Sequence, residues 1–152
     1  MPKITVNPNA KMPEFVAVPA GEYRMRFERL QEKTIGQSEK GNWWARMRLV
    51  HAAPANQLTN LQGQPLGDSE TPGSVSGVFM LDDRGQGKVR QAFESAGLAW
   101  PTNAPGFESE ESYAEWIFQN LEGQEAVVRL KTVQSKDTGD WQNDVARYIV
   151  VS

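Results

Sequence analysis

The sequence contains no cysteine and a single histidine, His51, among its 152 residues. A chain without cysteine has no disulfides, thiolate metal ligands or cysteine nucleophile, and one histidine is too few for the usual zinc sites. Apolar runs stay well short of the ~20 residues that cross a membrane, and residues 1–7 lack the apolar centre of a signal peptide. These absences predict a cytoplasmic protein that works without a membrane, a metal or another cofactor.

Enzyme motifs are scarce as well. Residues 85–88 (Gly-Gln-Gly-Lys) faintly suggest a phosphate-binding loop, but Asp82 stands where its first glycine belongs and Val89 where a serine or threonine is required. Asp82 and Asp83 could hold magnesium as nuclease carboxylates do, or they could end a strand and begin a helix. His51 is interpreted as a strand-end residue rather than a general base. We therefore expect no enzymatic activity, with a magnesium-dependent nuclease as a third alternative.

The formal net charge is -3, but the acidic residues are unevenly distributed. Residues 106–125 hold six acids and no base, whereas residues 20–50 hold seven bases and four acids. A locally positive surface attracts phosphate even on an acidic protein, and an excess this modest makes such binding sensitive to salt. The acidic segment has three interpretations: a docking surface for a protein, a mimic of DNA phosphates, or a helix face that keeps the chain soluble.

Proline, glycine and the hydrophobic pattern divide the chain into elements. Prolines predict an irregular N-terminal arm over residues 1–19, and a long loop occupies residues 52–73. Helical spacing and an N-cap at Ser109 predict two helices within residues 84–122. The remaining apolar segments predict five strands, at residues 21–35, 43–51, 74–81, 124–133 and 141–151.

Five strands with a helical segment between the third and the fourth follow the order of the OB-fold barrel. Closure of such a barrel needs a long first strand that bends and pairs on both sides, and Gly36 could mark that bend. We therefore predict a mainly β protein, with a five-stranded OB-fold barrel over residues 20–152 after the arm. The competing architecture is an open antiparallel sheet with two helices on one face.

Alternation along the first two strands separates apolar side chains from cationic ones. The inward rows are Tyr23, Met25 and Phe27 on the first strand and Trp43, Ala45, Met47 and Leu49 on the second. The outward rows carry one ring and four guanidiniums: Arg24, Arg26, Trp44, Arg46 and Arg48. A register shifted by one residue would bury unpaired guanidiniums, which is costly. Cations beside a flat ring predict a surface for single-stranded nucleic acid, although such arginines could also simply solvate the outside of a barrel.

Later strands supply further candidates for the same site. Arg129 and Lys131 form the outward row of the fourth strand, and Trp141 begins the fifth. Trp141 could stack on a base or cap the open end of the barrel. Phe79 on the third strand could be a platform for a base, with packing beneath a helix as its alternative. These four residues complete the predicted nucleic-acid site.

Several short motifs carry a family resemblance, and their order along the chain is more specific than any one of them. They are Pro-Ala-Gly-Glu-Tyr at 19–23, Lys-Gly-Asn at 40–42, Val-Arg-Gln-Ala-Phe-Glu-Ser-Ala-Gly-Leu at 89–98, Leu-Glu-Gly-Gln at 121–124, and Gly-Asp-Trp-Gln-Asn-Asp-Val at 139–145 leading to Tyr148. Between Pro19 and Val150, this series resembles the OB-fold single-stranded DNA-binding proteins of phages and prophages.

The resemblance implies a protein that coats single-stranded DNA with little sequence preference during phage or prophage replication or recombination. It implies the cytoplasm of a bacterial host as the location, and replication or recombination proteins as further partners. Exposed strand edges could also serve a homo-oligomer. The alternative from another class is a phage structural or protein-interaction barrel that binds no nucleic acid, because one fold hosts many functions.

Overall fold

Strands dominate the architecture. The computed structural model describes residues 3–10 and 14–150 and is mainly β, with 36% strand and 17% helix. The strands are β1 (Glu14–Val16), β2 (Gly21–Glu28), β3 (Ile35–Gln37), β4 (Trp43–His51), β5 (Glu70–Pro72), β6 (Val75–Met80), β7 (Glu125–Gln134) and β8 (Trp141–Tyr148), and the helices are α1 (Gln86–Ser95) and α2 (Glu110–Leu121). Within the described residues, no helix is long and apolar enough to span a membrane.

The predicted order of elements is confirmed. The five expected strands correspond to β2, β4, β6, β7 and β8, and both helices lie between β6 and β7. Ser109 caps α2 as predicted: its hydroxyl accepts from the Ser112 N–H at 3.1 Å, while Ser112 Oγ accepts from the Ser109 N–H at 3.2 Å. Gly97 and Gly123 take positive φ angles just after the two helices, a conformation in which helices commonly end.

The predicted continuous first strand is wrong over residues 29–34. This segment leaves the sheet between β2 and β3, and Arg29 turns toward α2. Its Nη1 donates to Glu115 Oε1 at 2.8 Å, its Nε donates to Glu122 Oε2 at 3.2 Å, and its guanidinium lies 5.4 Å from the centre of the Phe118 ring. Alternation fails over this segment, because it would turn Arg29, Gln31 and Lys33 toward the core, and Arg29 instead contacts α2.

The N-terminal arm also differs from the prediction. Residues 3–10 are irregular, but Glu14–Val16 forms β1 and pairs in parallel with β5, which lies in the long loop 52–73. Val18 is buried, and the Asn143 side chain holds its backbone through Val18 N–H to Oδ1 at 2.9 Å and Nδ2–H to the Val18 carbonyl at 2.8 Å. The end of the arm therefore belongs to the domain.

Parts of two predicted segments lie outside the described residues. These are residues 1–2 and 11–13 of the arm, and residues 151–152, of which Val151 was the predicted end of the last strand. Within the described part, that strand ends at Tyr148, as part of β8. Its backbone continues briefly alongside β7, since the Ile149 N–H donates to the Val127 carbonyl at 2.9 Å.

The main strands form one open sheet in the order β6–β4–β2–β7–β8, with β3 beside the start of β4. Within the described residues no hydrogen-bonded ladder joins β6 to β8, so a closed five-stranded barrel is not established. The two edge strands nevertheless meet through side chains. Tyr148 of β8 stacks on Phe79 of β6 and on Phe27 of β2, with ring centroids 6.0 and 5.7 Å apart.

The hydrophobic core fills the inner side of the sheet and extends to both helices. On β2 and β4 the fully buried core residues all belong to the predicted inward rows: Met25, Phe27, Ala45, Met47 and Leu49, each 0% exposed. The helices contribute Val89, Ala92, Phe93, Ala114, Ile117, Phe118 and Leu121 to the same cluster. The inner faces of β2 and β4 are thus committed to packing, which leaves their outer faces for other roles.

The close approach of β8 to Gly77 of β6 can be tested by substitution. A Cβ at Gly77 would lie 2.8 Å from Tyr148 Oη. Because that ring is enclosed by packing, we expect Gly77→Ala to lower the free energy of unfolding by about 1–3 kcal/mol in urea denaturation. The control is Gly87→Ala on α1, where a Cβ meets nothing within 4 Å and should be neutral or stabilising.

The same substitution in a Tyr148→Phe background tests whether the Tyr148 hydroxyl causes the loss of stability. The Tyr148 hydroxyl is buried and has no hydrogen-bond partner among the described residues, and burial raises the pKa of this phenol. Tyr148→Phe removes the oxygen that a Gly77 methyl would strike. The loss caused by Gly77→Ala should then shrink by at least about 0.5 kcal/mol. Equal losses in both backgrounds would contradict the contact between β6 and β8.

Candidate nucleic-acid interface

Pairing of β2, β4 and β7 joins the predicted cationic rows into one outer surface. Glu28 of β2 lies opposite Arg48 of β4, and Arg24 of β2 lies opposite Val127 of β7. We call the outward row formed by these three strands the basic face, defined by Arg24, Arg26, Trp44, Arg46, Arg48, Arg129 and Lys131. Two groups that are far apart in sequence thus occupy adjacent strands of one sheet.

Three glutamates lie within the basic face, a feature that the sequence pattern did not predict. Glu28 accepts from Arg26 Nη2 at 3.1 Å and from Arg48 Nη2 at 3.0 Å, and these arginines hold the pKa of its carboxyl below its usual range, with the Arg26 hydrogen bond as the main cause. The other two stand farther from their partners: Glu125 Oε1 is 3.9 Å from Arg24 Nη1, and Glu22 Oε1 is 3.8 Å from Arg129 Nη1. Six cations against three carboxylates leave the face with a net charge of +3.

Trp44 lies flat against β3. An added Cβ at Gly36 would lie 2.3 Å from Trp44 Cζ2 and 2.8 Å from its Cε2, so the indole occupies the space that any other side chain would fill. Trp44 is half-buried, as one side of the ring rests on the β3 backbone. Gly36 was predicted to mark a bend, but its role here is to leave room for the Trp44 ring to pack against the β3 backbone. A ring held in one orientation loses little conformational freedom when a base stacks on it.

The neighbouring Trp43 does not fill the core position that alternation assigned to it. It is half-buried at the start of β4 and does not belong to the hydrophobic core cluster, whose first member on this strand is Ala45. Its carbonyl accepts a hydrogen bond from the Leu81 N–H at 2.9 Å. The first residues of β4 extend beyond the edge of the core, and for this reason the prediction for Trp43 is wrong.

Arg46 differs from the other arginines of β2 and β4. Within the described residues it forms no salt bridge, and its Nε is buried without a hydrogen-bond partner. It lies one outward position from Trp44 on β4, and Val78 of β6 lies directly opposite it. A guanidinium without a carboxylate partner in the described chain is well suited to contact a phosphate.

The outward row of β6 extends this part of the surface with apolar side chains. Val78 lies opposite Arg46 and Met80 lies opposite Trp44, and both are at least partly exposed. Neither was predicted as part of the site. A ring, a cation and an apolar margin adjoin one another here, which is an arrangement that suits a base and its phosphate together.

Phe79 is excluded from the interface. It is 0% exposed, it stacks on Tyr148, and its partner in the register is the inward Ala45. The large ring fills the volume that the small Ala45 side chain leaves free. Of the two alternatives for Phe79, packing in the interior is the one that the structure supports, and a buried ring cannot stack on a base.

The predicted grouping of Trp141 with Arg129 and Lys131 is wrong. The register pairs Trp141 with Gln134, on the side of the hairpin that carries Thr132 and Asn143 rather than the outward cations. The hairpin extends past the core at this point, so the ring is 53% exposed and does not cap the interior. Arg129 and Lys131 remain on the basic face, whereas Trp141 lies beyond its end on the opposite side.

Residues considered for enzymatic chemistry have structural contacts. His51 lies edge-on to the Tyr23 ring at 5.1 Å, both of its ring nitrogens are buried without partners in the described chain, and burial lowers its pKa. Asp82 Oδ1 accepts from the Gly85 N–H at 2.8 Å in the turn before α1. Among the described residues, no three His, Cys, Asp or Glu side chains are close enough together to hold a metal ion.

Compared with known proteins, the chain matches no family model and no curated protein sequence. The likeness to phage single-stranded DNA-binding proteins therefore rests on the short motifs alone. Because one fold hosts many functions, a function for this chain has to come from its own side chains and their surroundings.

The packing of Trp44 against Gly36 can be tested without a ligand. Gly36→Ala should push the indole off β3 and shift the tryptophan emission toward longer wavelength, because the displaced ring enters water. Gly36→Ala in a Trp44→Phe background should leave the emission of the remaining tryptophans unchanged, which assigns the shift to Trp44. An unaltered spectrum for Gly36→Ala alone would contradict the packing of the ring on β3.

Proposed function

We propose that this protein binds single-stranded DNA along the basic face, as a non-enzymatic OB-fold protein with little sequence preference. The observation that carries the proposal is the pair formed by Trp44, seated on Gly36, and Arg46, which lacks a carboxylate partner in the described chain. The ring offers a surface to a base, and the adjacent guanidinium offers donors to its phosphate. Stacking and phosphate contacts read little base identity, so weak sequence dependence follows.

The barrel itself is part of the proposal. The strand order β6–β4–β2–β7–β8 with helices between β6 and β7 matches the connectivity of an OB-fold. The stacking of Tyr148 on Phe79 brings the two free edges together across the core, which supports near-closure without a hydrogen-bonded ladder. In OB-folds the outer face of the second and third strands commonly binds oligonucleotides, and here those strands are β4 and β6.

The biological setting follows from the resemblance rather than from any side chain. We infer a role in coating exposed single strands during phage or prophage replication or recombination, in the cytoplasm of a bacterial host. DNA, rather than RNA, is inferred on the same ground. Partner proteins of replication or recombination and self-association along the strand both fit this role.

The first experiment titrates the protein into a dye-labelled oligothymidylate and follows its anisotropy, and it also follows tryptophan quenching in the wild-type protein. Trp44→Ala should weaken binding by about 1–3 kcal/mol, the usual contribution of one stacked base. Arg46→Gln should weaken binding and make the slope of log K against log salt shallower by ~0.7, as expected for one lost single-strand phosphate contact. The matched control is Arg90→Gln, which removes an arginine of α1 that pairs with Glu94 at 2.6 Å and is not part of the basic face. This control should change neither the affinity nor the salt slope.

Three outcomes would contradict the proposal. No quenching and no salt-sensitive binding of wild-type protein at low ionic strength would favour the alternative, a structural or protein-interaction barrel. Unchanged affinity in folded Trp44→Ala and Arg46→Gln proteins would show that DNA binds elsewhere. Tighter binding of oligouridylate than of oligothymidylate would overturn the preference for DNA.

A gain in affinity provides an independent test of the glutamates in the face. Phosphate must compete with Glu28 for Arg26 and Arg48. Glu28→Gln removes the negative charge at similar size, so oligothymidylate should bind about two- to fivefold more tightly at low salt, as expected for surface ion pairs. Glu94→Gln removes the matched carboxylate on α1 and should have no effect. Weaker binding by the Glu28→Gln protein would contradict this competition.

A further inference from the structure

A second surface has a composition opposite to that of the basic face. A cleft of about 590 Å³ lies between the start of α2, the loop before it and the turn that follows β6. Four rings line it: Trp100, Phe107, Tyr113 and Trp116. Phe107 is 37% exposed, and its centroid lies 5.3 Å from that of Tyr113 and 5.2 Å from that of Trp116. The rings support one another, so the cleft exists without a ligand.

Carboxylates line the same cleft, whereas no lysine or arginine among residues 3–10 and 14–150 does. They are Asp82, Asp83, Glu108 and Glu110. In the described part of the chain, none of the four forms a salt bridge. The Tyr113 hydroxyl is buried there without a hydrogen-bond partner, and burial together with the charge of Asp82 raises the pKa of this phenol. The cleft therefore combines aromatic surfaces with uncompensated negative charge.

We propose that this cleft binds an arginine side chain carried by a basic peptide segment of a partner protein. A guanidinium is planar and weakly hydrated, and it can stack on an aromatic ring while donating to carboxylates at its edge. The volume of the cleft lies within the range of ordinary ligand pockets, so an arginine and its flanking backbone fit. Phosphate is excluded by the four carboxylates, which separates this site from the basic face.

The surroundings of the cleft favour a peptide over a small free cation. Beyond the cleft, Glu111 in the first turn of α2 adds one more carboxylate that forms no salt bridge among the described residues. The later acids of this segment are paired, Glu115 and Glu122 with Arg29, and Glu125 near Arg24. Several basic residues of one partner segment could interact with this surface, whereas a single small cation would use only the cleft. The N-terminus of α2 carries partial positive charge, but Glu110 and Glu111 in its first turn offset it.

The test measures binding of a fluorescent peptide that carries three arginines separated by glycines, by anisotropy at low salt. A matched peptide with citrulline at each arginine position keeps the shape and removes the charge. We expect the arginine peptide to bind wild-type protein about tenfold more tightly than the citrulline peptide, as cation–π and charge attraction predict. A lysine peptide should bind with intermediate affinity, because an ammonium does not stack.

Protein variants locate the site. Asp82→Asn with Glu110→Gln removes two charges at constant size, and Phe107→Leu removes an exposed ring face. Each should weaken the arginine peptide about five- to tenfold. Asp68→Asn with Asp137→Asn, two exposed loop carboxylates outside the cleft, is the control for net charge and should leave peptide affinity unchanged. All of these proteins should bind oligothymidylate like wild type, so the outcome does not depend on the proposed function.

Each remaining outcome overturns the inference. Equal affinity for the arginine and citrulline peptides would exclude recognition of the charge. An equal loss of peptide affinity in the Asp68/Asp137 control would show that binding depends only on the net charge of the protein. Self-association of wild-type protein in sedimentation that disappears in the cleft variants would identify a second copy of this chain, not a partner, as the occupant.

Discussion

The complete burial of the inward row of β4 is the constraint on which the proposed interface depends. Ala45, Met47 and Leu49 are enclosed by the sheet and the helices, and a slip of one residue would exchange them for the outward residues, which include Arg46 and Arg48. Such a slip would lose apolar burial and would also place charges in the core, at a cost of several kcal/mol for each ion. The outward position of the cations is therefore a consequence of the core.

Sequence patterns predicted the features that depend on a few neighbouring residues. Alternation located the outward arginines, and the hydroxyl of Ser109 located the start of α2. The errors arise where distant residues decide. Arg29 lies beyond the end of β2 and pairs with Glu115 of α2 and with Glu122 just after it, a contact that no local pattern contains. On β6 both rows are largely apolar, so the period alone could not tell that Phe79 faces inward and Val78 outward.

The candidate site shows the same division between local and distant determinants. The cations of the basic face follow from alternation, but the glutamates among them depend on which strands become neighbours. Glu28 lies between Arg26 and Arg48 only because β2 pairs with β4 in this register. Gly36 supports Trp44 only because β3 returns beside the start of the same strand. The cleft of rings and acids is likewise assembled from a turn, a loop and a helix that are separate in sequence.

Internal ion pairs change how a negatively charged chain can hold a polyanion. When a phosphate displaces a carboxylate from an arginine, one ion pair is exchanged for another. The net gain in binding free energy is then small, so such arginines contribute less to affinity than their charge suggests. A phosphate that binds Arg46 would displace no carboxylate, because none of the described carboxylates pairs with this arginine. Binding strength should therefore concentrate near Trp44 and Arg46, while the paired arginines guide the strand. In the proposed mode of binding, the carboxylates of the cleft would repel phosphate from that part of the molecule without changing affinity at the basic face, so a single strand would favour the basic face.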